Sequence, residues 1–332
     1  MISIVMPAYN VEKYIAQAID SIIEQTYKEW ELVVVDDCST DATCDIVDNY
    51  VVKYSNIRLI RRKENSGGCR LPRFDGILVA QGEFVCPIDS DDFIEPEYLQ
   101  KMINRQKETS ADVVLGRVVF CSENGEIQSR SIPISDYDMS IIMNGREACK
   151  ITIGGWNITT SGLLANANLY KRYVKENYAI GQNYFVMDEV DHRKFLYSAA
   201  LVSMVDVQYF YRQQPNSILH SKKPNSFLSI EAAKSLYNWV ISEYRDDNSV
   251  IQKIESEYVE KVYRLYCLYF NCKNKYSFEE RQFIKKICSE AYDFIKKHNI
   301  VPQNKKYWLI SKSKLFLNLF VRIVYLYEKI RK

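Results

Sequence analysis

Short apolar runs alternate with helical patterns through the first 120 residues, and this alternation restricts the fold more than any other feature. The runs at 2–6, 31–37 and 57–61 have the length and aliphatic content of buried strands, and 11–25 and 41–54 place apolar residues at helical spacing. Near-continuous apolar strands that alternate with helices are typical of a parallel sheet covered on both faces. We therefore predict an α/β fold with a mostly parallel sheet flanked by helices, and Asn10 as the N-cap of the first helix.

The pattern continues with a helix at 71–80 and strands at 82–88 and 112–120, and from about Phe227 the chain is helical to its end. At 332 residues the chain fits one large or two ordinary domains. A content of 47% hydrophobic and 26% charged residues excludes a disordered chain. We place a soft boundary near residue 220, which gives a domain at 1–220 and a helical C-terminal region at 221–332.

Charge is distributed unevenly along the chain. The net charge is +2, yet residues 296–332 hold ten Lys or Arg and one acid, Glu328, so this tail carries +9 and the rest of the chain carries −7. Partners of the main body and of the tail therefore differ in charge, and no nucleic-acid partner is expected. The nine cysteines are scattered without a Cys-x-x-Cys pair, which indicates reduced thiols. Because Met1 is followed at once by a strand pattern, we expect no secretory signal and a cytoplasmic location.

The C-terminal tail, KLFLNLFVRIVYLYEKIRK, is basic and amphipathic. Lys314, Asn318 and Arg322 recur every fourth residue, and the remaining helix surface is apolar and aromatic. Its uninterrupted apolar stretches are too short for a spanning helix of about 20 residues. Two alternatives stay open: peripheral binding to anionic lipid on the inner face of the membrane, or packing against the preceding helices or a second subunit.

The stretch PIDSDDFIEP, residues 87–96, gathers three carboxylates directly after an apolar strand pattern. Asp89 and Asp91 are two apart and point to one side of an extended segment. Like charges this close need a positive partner, and oxygen ligands suit magnesium or manganese. The alternative is a solvated turn that caps the next helix, with Pro96 in its first turn. On this stretch alone the two interpretations have equal weight.

Polar residues follow the first, second and fourth predicted strands, where parallel sheets bind ligands. Together the stretches IVMPAYNVEKYI, ELVVVDDCSTD and NSGGCRLPRFDGILVAQGEFVCPIDSDD resemble the donor-binding half of glycosyltransferase family 2, inverting enzymes with the Rossmann-like GT-A fold. The resemblance is close over 1–120 and loose over 155–220. It implies nucleotide-sugar binding by 1–120, and acceptor binding and catalysis by 121–220.

The resemblance assigns the donor pocket residue by residue. It implies that Pro7, Ala8, Tyr9 and Asp37 line a uridine pocket and that Arg73 lies near the nucleotide or diphosphate. These residue types fit that role, because an aromatic ring stacks on a base and a guanidinium binds phosphate.

Asp89-Ser90-Asp91 resembles the DxD element of the family. The resemblance implies that Asp89 binds the ribose or the metal and that Asp91 binds a Mn²⁺ or Mg²⁺ ion on the two phosphates of the donor. Asp92 matches a recurrent third acid, which implies a contact with the sugar.

The catalytic base of the family lies in a Glu-Asp pair that opens a helix. The best match is VMDEVDHRKFL, where Asp188-Glu189 reverses that order. Glu189 occupies the position of the base, Asp188 is the second choice and Asp191 stays open. The alternative is that these acids only favour a helix start through its dipole.

Two weaker segments follow from the resemblance. Trp156 and Asn157 fall where family members shape the acceptor or sugar pocket, although Trp156 also suits a core. Arg212, Ser217 and His220 fall in a segment near the diphosphate, although a lone His is more often structural than a ligand.

The resemblance implies metal-assisted single displacement that moves a sugar from a UDP-sugar to a hydroxyl of a growing glycan, free or lipid-linked, in cell-surface polysaccharide synthesis. Two rival classes are a receiver-like signalling domain, which also has an acid pair after a strand, and a catalytically degenerate protein that binds glycan or scaffolds an assembly.

Overall fold

The protein is described by a computed structural model that covers residues 1–179, 188–214, 223–303 and 307. Its contacts divide the chain into two compact units. The first, called the sheet unit, comprises Met1–Thr152, Trp156–Gln182 and Asp191–Gln214; the second, called the helical unit, comprises Ile153–Gly155, Asn183–Val190 and Pro215–Lys332. The predicted boundary near residue 220 falls outside the described residues and stays a prediction, as does the division at residue 120.

Ten strands form one sheet within the residues that the structure describes. In chain order they are β1 (Ile2–Ala8), β2 (Trp30–Asp36), β3 (Ile57–Arg61), β4 (Phe84–Pro87), β5 (Phe93–Ile94), β6 (Val113–Cys121), β7 (Ile127–Ile132), β8 (Ile142–Met143), β9 (Leu164–Asn166) and β10 (Val202–Arg212). Their order is β3-β2-β1-β4-β9-β6-β10-β5, with β7 beside β6 and β8 beside β10. The four strands β3, β2, β1 and β4 run parallel, as do β6 and β10. Strands β5, β7, β8 and β9 pair with their neighbours in the antiparallel sense.

Helices cover the sheet. They are α1 (Ile15–Ile23), α2 (Thr43–Lys53), α3 (Arg70–Val79), α4 (Tyr98–Thr109), α5 (Gly145–Thr152), α6 (Ala167–Asn177) and α7 (Asp188–Ser198). Strands β1 and β2 are buried along their whole length, as expected of parallel strands with both faces covered. Helix α1 buries Ile15, Ala18, Ile19 and Ile22, and each isoleucine contributes about 1.5–3 kcal/mol by burial.

A glycine sets how closely α3 approaches the sheet. A Cβ at Gly76 would collide with the side chain of Val5 on β1 and would lie 3.2 Å from Cγ2 of Val35 on β2. Only a residue without a side chain permits this contact. The close packing fixes the position of Arg73, which precedes Gly76 by one helical turn.

Two predicted caps are wrong. Helix α1 begins at Ile15, and Asn10 lies outside it with φ of 51°, where its Oδ1 accepts a hydrogen bond from the backbone N–H of Thr40 at 2.8 Å. The acids after β4 do not cap α4 either, because the N-cap position is Glu97. The three acids of this stretch, Asp89, Asp91 and Asp92, therefore do not serve as the N-cap of α4.

The C-terminal region is helical as predicted, which confirms the fold class. It contains α8 (Ser229–Glu243), α9 (Asn248–Cys272) and α10 (Phe278–Lys297). Helix α10 begins at a capping box in which Ser277 and Glu280 bond each other's backbone N–H groups. Over the described ranges, no helix is both long and apolar enough to cross a membrane. The predicted amphipathic tail lies outside the described residues.

Candidate active site at the strand ends

The carboxyl ends of β2, β1 and β4 are neighbours in the sheet. Val5 pairs with Pro87 on one side of β1, and Ala8 pairs with Asp36 on the other. The residues that follow these three strands therefore meet at one edge, which is where parallel sheets bind ligands. Pro7 and Ala8 end β1 and are buried, whereas the ring of Tyr9 is 49% exposed and is free to stack on a planar ligand.

Asp37 follows β2 and is held firmly. Its carboxylate accepts hydrogen bonds from the backbone N–H of Ser66 at 3.0 Å and from the Ser66 hydroxyl at 2.9 Å, and it lies 3.0 Å from Nε of Arg62. Burial raises the pKa of Asp37, while Ser66 and Arg62 act in the opposite direction. A carboxylate has about four acceptor positions, so Asp37 can accept a further N–H from a ligand.

Arg73 and Asp89 form an ion pair at this edge. Nη2 of Arg73 donates to Oδ1 of Asp89 at 2.8 Å, and the Arg73 side chain is buried while that of Asp89 is 33% exposed. The helix α3 and the end of β4 thus bring together two residues that the resemblance assigned to the donor. The fixed positive charge beside an accessible carboxylate suits a phosphate or ribose group.

His192 also belongs to this group, and sequence analysis missed it. Its Nε2 lies 3.5 Å from Nη1 of Arg73. Burial and the neighbouring Arg73 charge lower the pKa of His192 to about 3, so the imidazole is neutral at ordinary pH. A neutral ring with its Nε2 as acceptor receives a hydrogen bond from Arg73. His192 lies in the segment predicted to supply the base, but there was no sequence signal that linked it to Arg73.

Asp92 is a structural residue of the acidic loop. Its Oδ2 accepts from the Tyr209 hydroxyl at 2.6 Å, and its Oδ1 accepts from the backbone N–H of Arg212 at 2.8 Å. The side chain is 2% exposed, and burial together with Asp91 and Asp89 raises its pKa. Both oxygens therefore have a partner within the protein, and a contact of Asp92 with the sugar stays a prediction.

Asp91 is an anion that its surroundings compensate only in part. Its Oδ2 accepts from Nε2 of Gln214 at 2.7 Å, and its backbone oxygen accepts from Nε of Arg212 at 2.8 Å. Burial, and then the charge of Asp89, raise the pKa of Asp91 to about 6, against the opposing effect of Arg212. An additional positive charge close to Asp91 would relieve this cost.

Arg212 supports the acidic loop from β10. Besides its bond to Asp91, its Nη1 donates to the Glu123 backbone oxygen and its Nη2 to Oε1 of Gln17 at 2.6 Å. The residue is 4% exposed, and its guanidinium lies 5.0 Å from the ring centre of Tyr14. Each of the three guanidinium nitrogens has a partner within the protein, and a contact of Arg212 with the diphosphate stays a prediction.

The residues after β4 fit a hard divalent cation in part. Asp89 and Asp91 supply carboxylate oxygens, the ligands that Mg²⁺ and Mn²⁺ prefer. Through 1–179, 188–214 and 223–303, no group of three or more His, Cys, Asp or Glu is arranged to hold a metal ion. A cation at this edge therefore requires ligands of other kinds, such as phosphate oxygens, water or an amide oxygen.

Glu189 lies in the first turn of α7. Its Oε2 is 3.9 Å from Nζ of Lys261 on α9, and the two side chains are 33% and 28% exposed. Both residues line a cavity of about 40 Å³ with Tyr258, whose buried hydroxyl has no hydrogen-bond partner within the described part of the chain. A space of this size can hold an ordered water. Asp188 starts the same helix, and its side chain is not among those described.

Both carboxylate oxygens of Asp191 have hydrogen-bond partners within the protein. Its Oδ2 lies 2.5 Å from Nε of Arg70, its Oδ1 accepts from the Tyr173 hydroxyl at 2.9 Å, and it is 5% exposed. These contacts join α3, α6 and α7 through a buried ion pair. Asp191 is therefore a structural residue, which leaves Glu189 and Asp188 as the predicted bases.

The two residues predicted to shape the acceptor pocket have local partners. The guanidinium of Arg193 lies 4.5 Å from the ring centre of Trp156, and Nδ2 of Asn157 donates to the Ile151 backbone oxygen at 3.1 Å. Trp156 is partly exposed and Asn157 is exposed. Their contacts with acceptor or sugar stay predictions, and Ser217 and His220 lie outside the described residues.

A parallel sheet whose strand ends gather an exposed aromatic ring, a buried carboxylate and an acidic pair defines an α/β protein with a ligand site at that edge. The chain belongs to glycosyltransferase family 2, since the profile described as Glycosyl transferase family 2 matches residues 3–178. The receiver-like interpretation is therefore wrong.

Curated relatives are glycosyltransferases by name. The chain is 29% identical over 229 residues to glycosyltransferase GlyG of Streptococcus pneumoniae, which covers 67% of this chain and 74% of the relative. It is 44% identical over 119 residues to a poly(ribitol-phosphate) beta-glucosyltransferase of Bacillus spizizenii, covering 35% of this chain and 19% of the relative. The chain thus spans less than a quarter of that relative.

Solved structures share the fold. The crystal structure of Staphylococcus aureus TarS residues 1–349 superposes with a TM-score of 0.61 at 24% identity, and it covers 89% of this chain and 80% of that chain. A structure of the same TarS fragment in complex with UDP-GlcNAc gives a TM-score of 0.62 at 25% identity, with the same coverage. The predicted GT-A fold is confirmed by this likeness.

Proposed function

We propose that the protein is an inverting glycosyltransferase that transfers a sugar from a UDP-sugar to a hydroxyl of a growing cell-surface polysaccharide. Family membership supports the class of reaction. The name of the Bacillus relative describes transfer to poly(ribitol-phosphate), and TarS has been crystallised with UDP-GlcNAc, which supports a UDP-sugar donor and a cell-wall polymer acceptor. A lipid-linked acceptor and contact of the basic tail with anionic lipid belong to the same proposal.

The observation that carries the proposal is the state of Asp91. This carboxylate is held in a fixed position by Gln214 and Arg212, yet its raised pKa indicates that its negative charge is incompletely compensated. Carboxylates whose pKa is strongly perturbed by burial and a neighbouring charge cluster at functional sites. A Mn²⁺ or Mg²⁺ ion bound there supplies positive charge that stabilises the departing nucleoside diphosphate.

The other residues at the strand ends bind and orient the donor in this proposal. Tyr9 stacks on the uracil ring, and Asp37 accepts its imide N–H. Arg73 places its charge beside the diphosphate or ribose, held by Asp89 and His192. These contacts use a preformed edge of the sheet, so little ordering is required when the donor binds.

Inversion in a single displacement needs a base that removes the proton from the acceptor hydroxyl during attack on the anomeric carbon. We assign this role to Glu189 first and to Asp188 second. The Nζ atom of Lys261 lies 3.9 Å from Oε2 of Glu189, so this ion pair can hold the carboxylate in position.

The test is slow hydrolysis of nucleotide sugars, which requires no acceptor. The full-length chain is incubated with a panel of UDP-, GDP- and CDP-sugars, with and without Mn²⁺, and release of the nucleoside diphosphate is measured. Mn²⁺-dependent release confined to a UDP-sugar supports the proposal. Binding of UDP without hydrolysis or transfer of any sugar in the panel supports the rival, a degenerate glycan-binding or scaffold protein.

A further inference from the structure

The strongest unexplained contact at the site joins Gln214 to Asp91. Nε2 of Gln214 donates to Oδ2 of Asp91 at 2.7 Å across 123 positions of sequence. Gln214 lies two residues after the end of β10, and the N–H of the preceding Gln213 holds this segment by donating to the Cys121 oxygen at 2.9 Å. Neither the family resemblance nor the relatives give Gln214 a role.

A cation bound to Asp91 would change which atom of the Gln214 amide faces this carboxylate. The N–H of an amide donates to a carboxylate but does not face a cation, whereas the amide oxygen is a good ligand for Mg²⁺ and similar ions. Rotation of the terminal amide of Gln214 by half a turn exchanges its nitrogen and oxygen with almost no change in shape. The exchange places Oε1 where Nε2 now lies.

The distance between the Gln214 amide and Asp91 agrees with two ligands of one ion. Two oxygens bound to one Mg²⁺ at about 2.1 Å and at right angles lie about 3 Å apart. The measured separation between the Gln214 amide and Oδ2 of Asp91 is 2.7 Å. A small outward movement of either side chain brings both oxygens to the spacing of neighbouring ligands.

Few side-chain oxygens at this edge are available as ligands for a cation. Oδ1 of Asp89 accepts from Arg73, and both oxygens of Asp92 are engaged by Tyr209 and Arg212. No third His, Cys, Asp or Glu completes a metal site within the residues that the structure describes. Gln214 is placed to provide a neutral oxygen of the hard type that the ion prefers.

We infer that Gln214 is a further ligand of the active-site cation. Its amide nitrogen holds Asp91 in position without the ion, and its amide oxygen binds the ion once it is present. This inference rests on the proposed function, because it requires the cation at Asp91.

The experiment measures Mn²⁺ binding by the full-length chain without a nucleotide, by electron paramagnetic resonance of free Mn²⁺ and by Mn²⁺-dependent thermal shift. The variants are Gln214→Ala, Gln214→Glu and Asp91→Asn, with Gln213→Ala as the matched neighbour. We expect Gln214→Ala to weaken Mn²⁺ binding about 10-fold or more. Gln214→Glu keeps an oxygen ligand and should bind Mn²⁺ at least as tightly as the wild type, and Gln213→Ala should leave binding unchanged.

The outcomes separate the inference from the proposed function. Wild-type affinity or tighter binding in Gln214→Ala overturns the ligand role, and tighter binding identifies Gln214 as a competitor of the ion. Mn²⁺ binding that survives in Asp91→Asn, or that the wild type lacks even after UDP is added, instead contradicts the metal-assisted function itself. Loss in Gln214→Ala with recovery in Gln214→Glu supports the inference, because a merely structural defect would not be restored by a second carboxylate beside Asp91.

Discussion

The hydroxyl of Tyr209 donates to Oδ2 of Asp92 at 2.6 Å and accepts from the backbone N–H of Asp89 at 3.1 Å. One buried side chain on β10 therefore fixes both ends of the acidic loop that contains Asp91. Arg212 adds a second connection through its backbone N–H to Asp92 and its Nε to the Asp91 oxygen. The loop geometry thus depends on a strand that lies far away in sequence.

Tyr209→Phe should weaken both the loop and the site. The change leaves Oδ2 of Asp92 without the Tyr209 donor in a buried position, which costs about 1–3 kcal/mol. Urea denaturation should report this loss of unfolding free energy, and titration calorimetry should report weaker Mn²⁺-dependent UDP binding. The control is Tyr54→Phe, a partly buried tyrosine of the same unit. Equal UDP affinity in Tyr209→Phe and wild type would disprove the positioning role.

Glu189→Gln should separate donor binding from chemistry. The amide keeps the size of the carboxylate but cannot take a proton, so transfer should fall by about 10²- to 10⁴-fold. The dissociation constant for UDP measured by calorimetry should stay at the wild-type value. Transfer at the wild-type rate would move the base to Asp188, which the parallel variant Asp188→Asn tests.

Lys261→Gln should act only through Glu189. Removal of the ammonium 3.9 Å from Oε2 of Glu189 should lower kcat severalfold in the wild-type background and change nothing further in Glu189→Gln. Lys286→Gln on α10 is the matched control, since this lysine is 76% exposed. Additive losses in the double variant would mean that Lys261 acts independently of Glu189.

His192 should contribute a dependence of stability on acid pH. Its pKa is about 3 in the folded chain and 6.5 as the ordinary value, so the unfolded chain binds the extra proton between these values. Stability should therefore fall as pH drops below 6.5, by at most about 1.4 kcal/mol per pH unit from this group.

Thermal unfolding of wild type and His192→Gln between pH 7.5 and about 4.5 tests this dependence. The variant lacks the titrating ring and should show a flatter curve over that range, whereas His298→Gln, at an exposed position, should follow the wild type. Parallel curves for His192→Gln and wild type would contradict the neutral state of the half-buried ring.

The first three strands could be predicted because local composition alone indicates them. Strands β1, β2 and β3 coincide with apolar runs that need no knowledge of their neighbours. The short strands β5 and β8 could not be predicted, since two residues carry no period and their pairing with β10 is a long-range event. The predicted cap at Asn10 failed because the turn from Val11 to Tyr14 precedes α1 and places Asn10 beside Thr40 instead.

The candidate site could be predicted only where its residues are close in sequence. The spacing of Asp89 and Asp91 made them recognisable in the sequence. Tyr209 and Gln214 contact the same loop across 117 and 123 positions of sequence. The internal partners of Asp92 and Arg212 are contacts between residues far apart in the chain, so no local sequence pattern indicated them. His192 contacts Arg73 across 119 positions for the same reason.

The most direct test of the central claim is titration of UDP into the wild type and Asp91→Asn, each with and without Mn²⁺. The variant keeps the shape of the side chain and an oxygen for the Gln214 amide while it removes the charge. We expect Mn²⁺ to increase the UDP affinity of the wild type and to leave Asp91→Asn unaffected, with the exposed Asp138→Asn behaving as wild type. An equal Mn²⁺ effect in wild type and Asp91→Asn would contradict a cation held by Asp91 on the donor diphosphate.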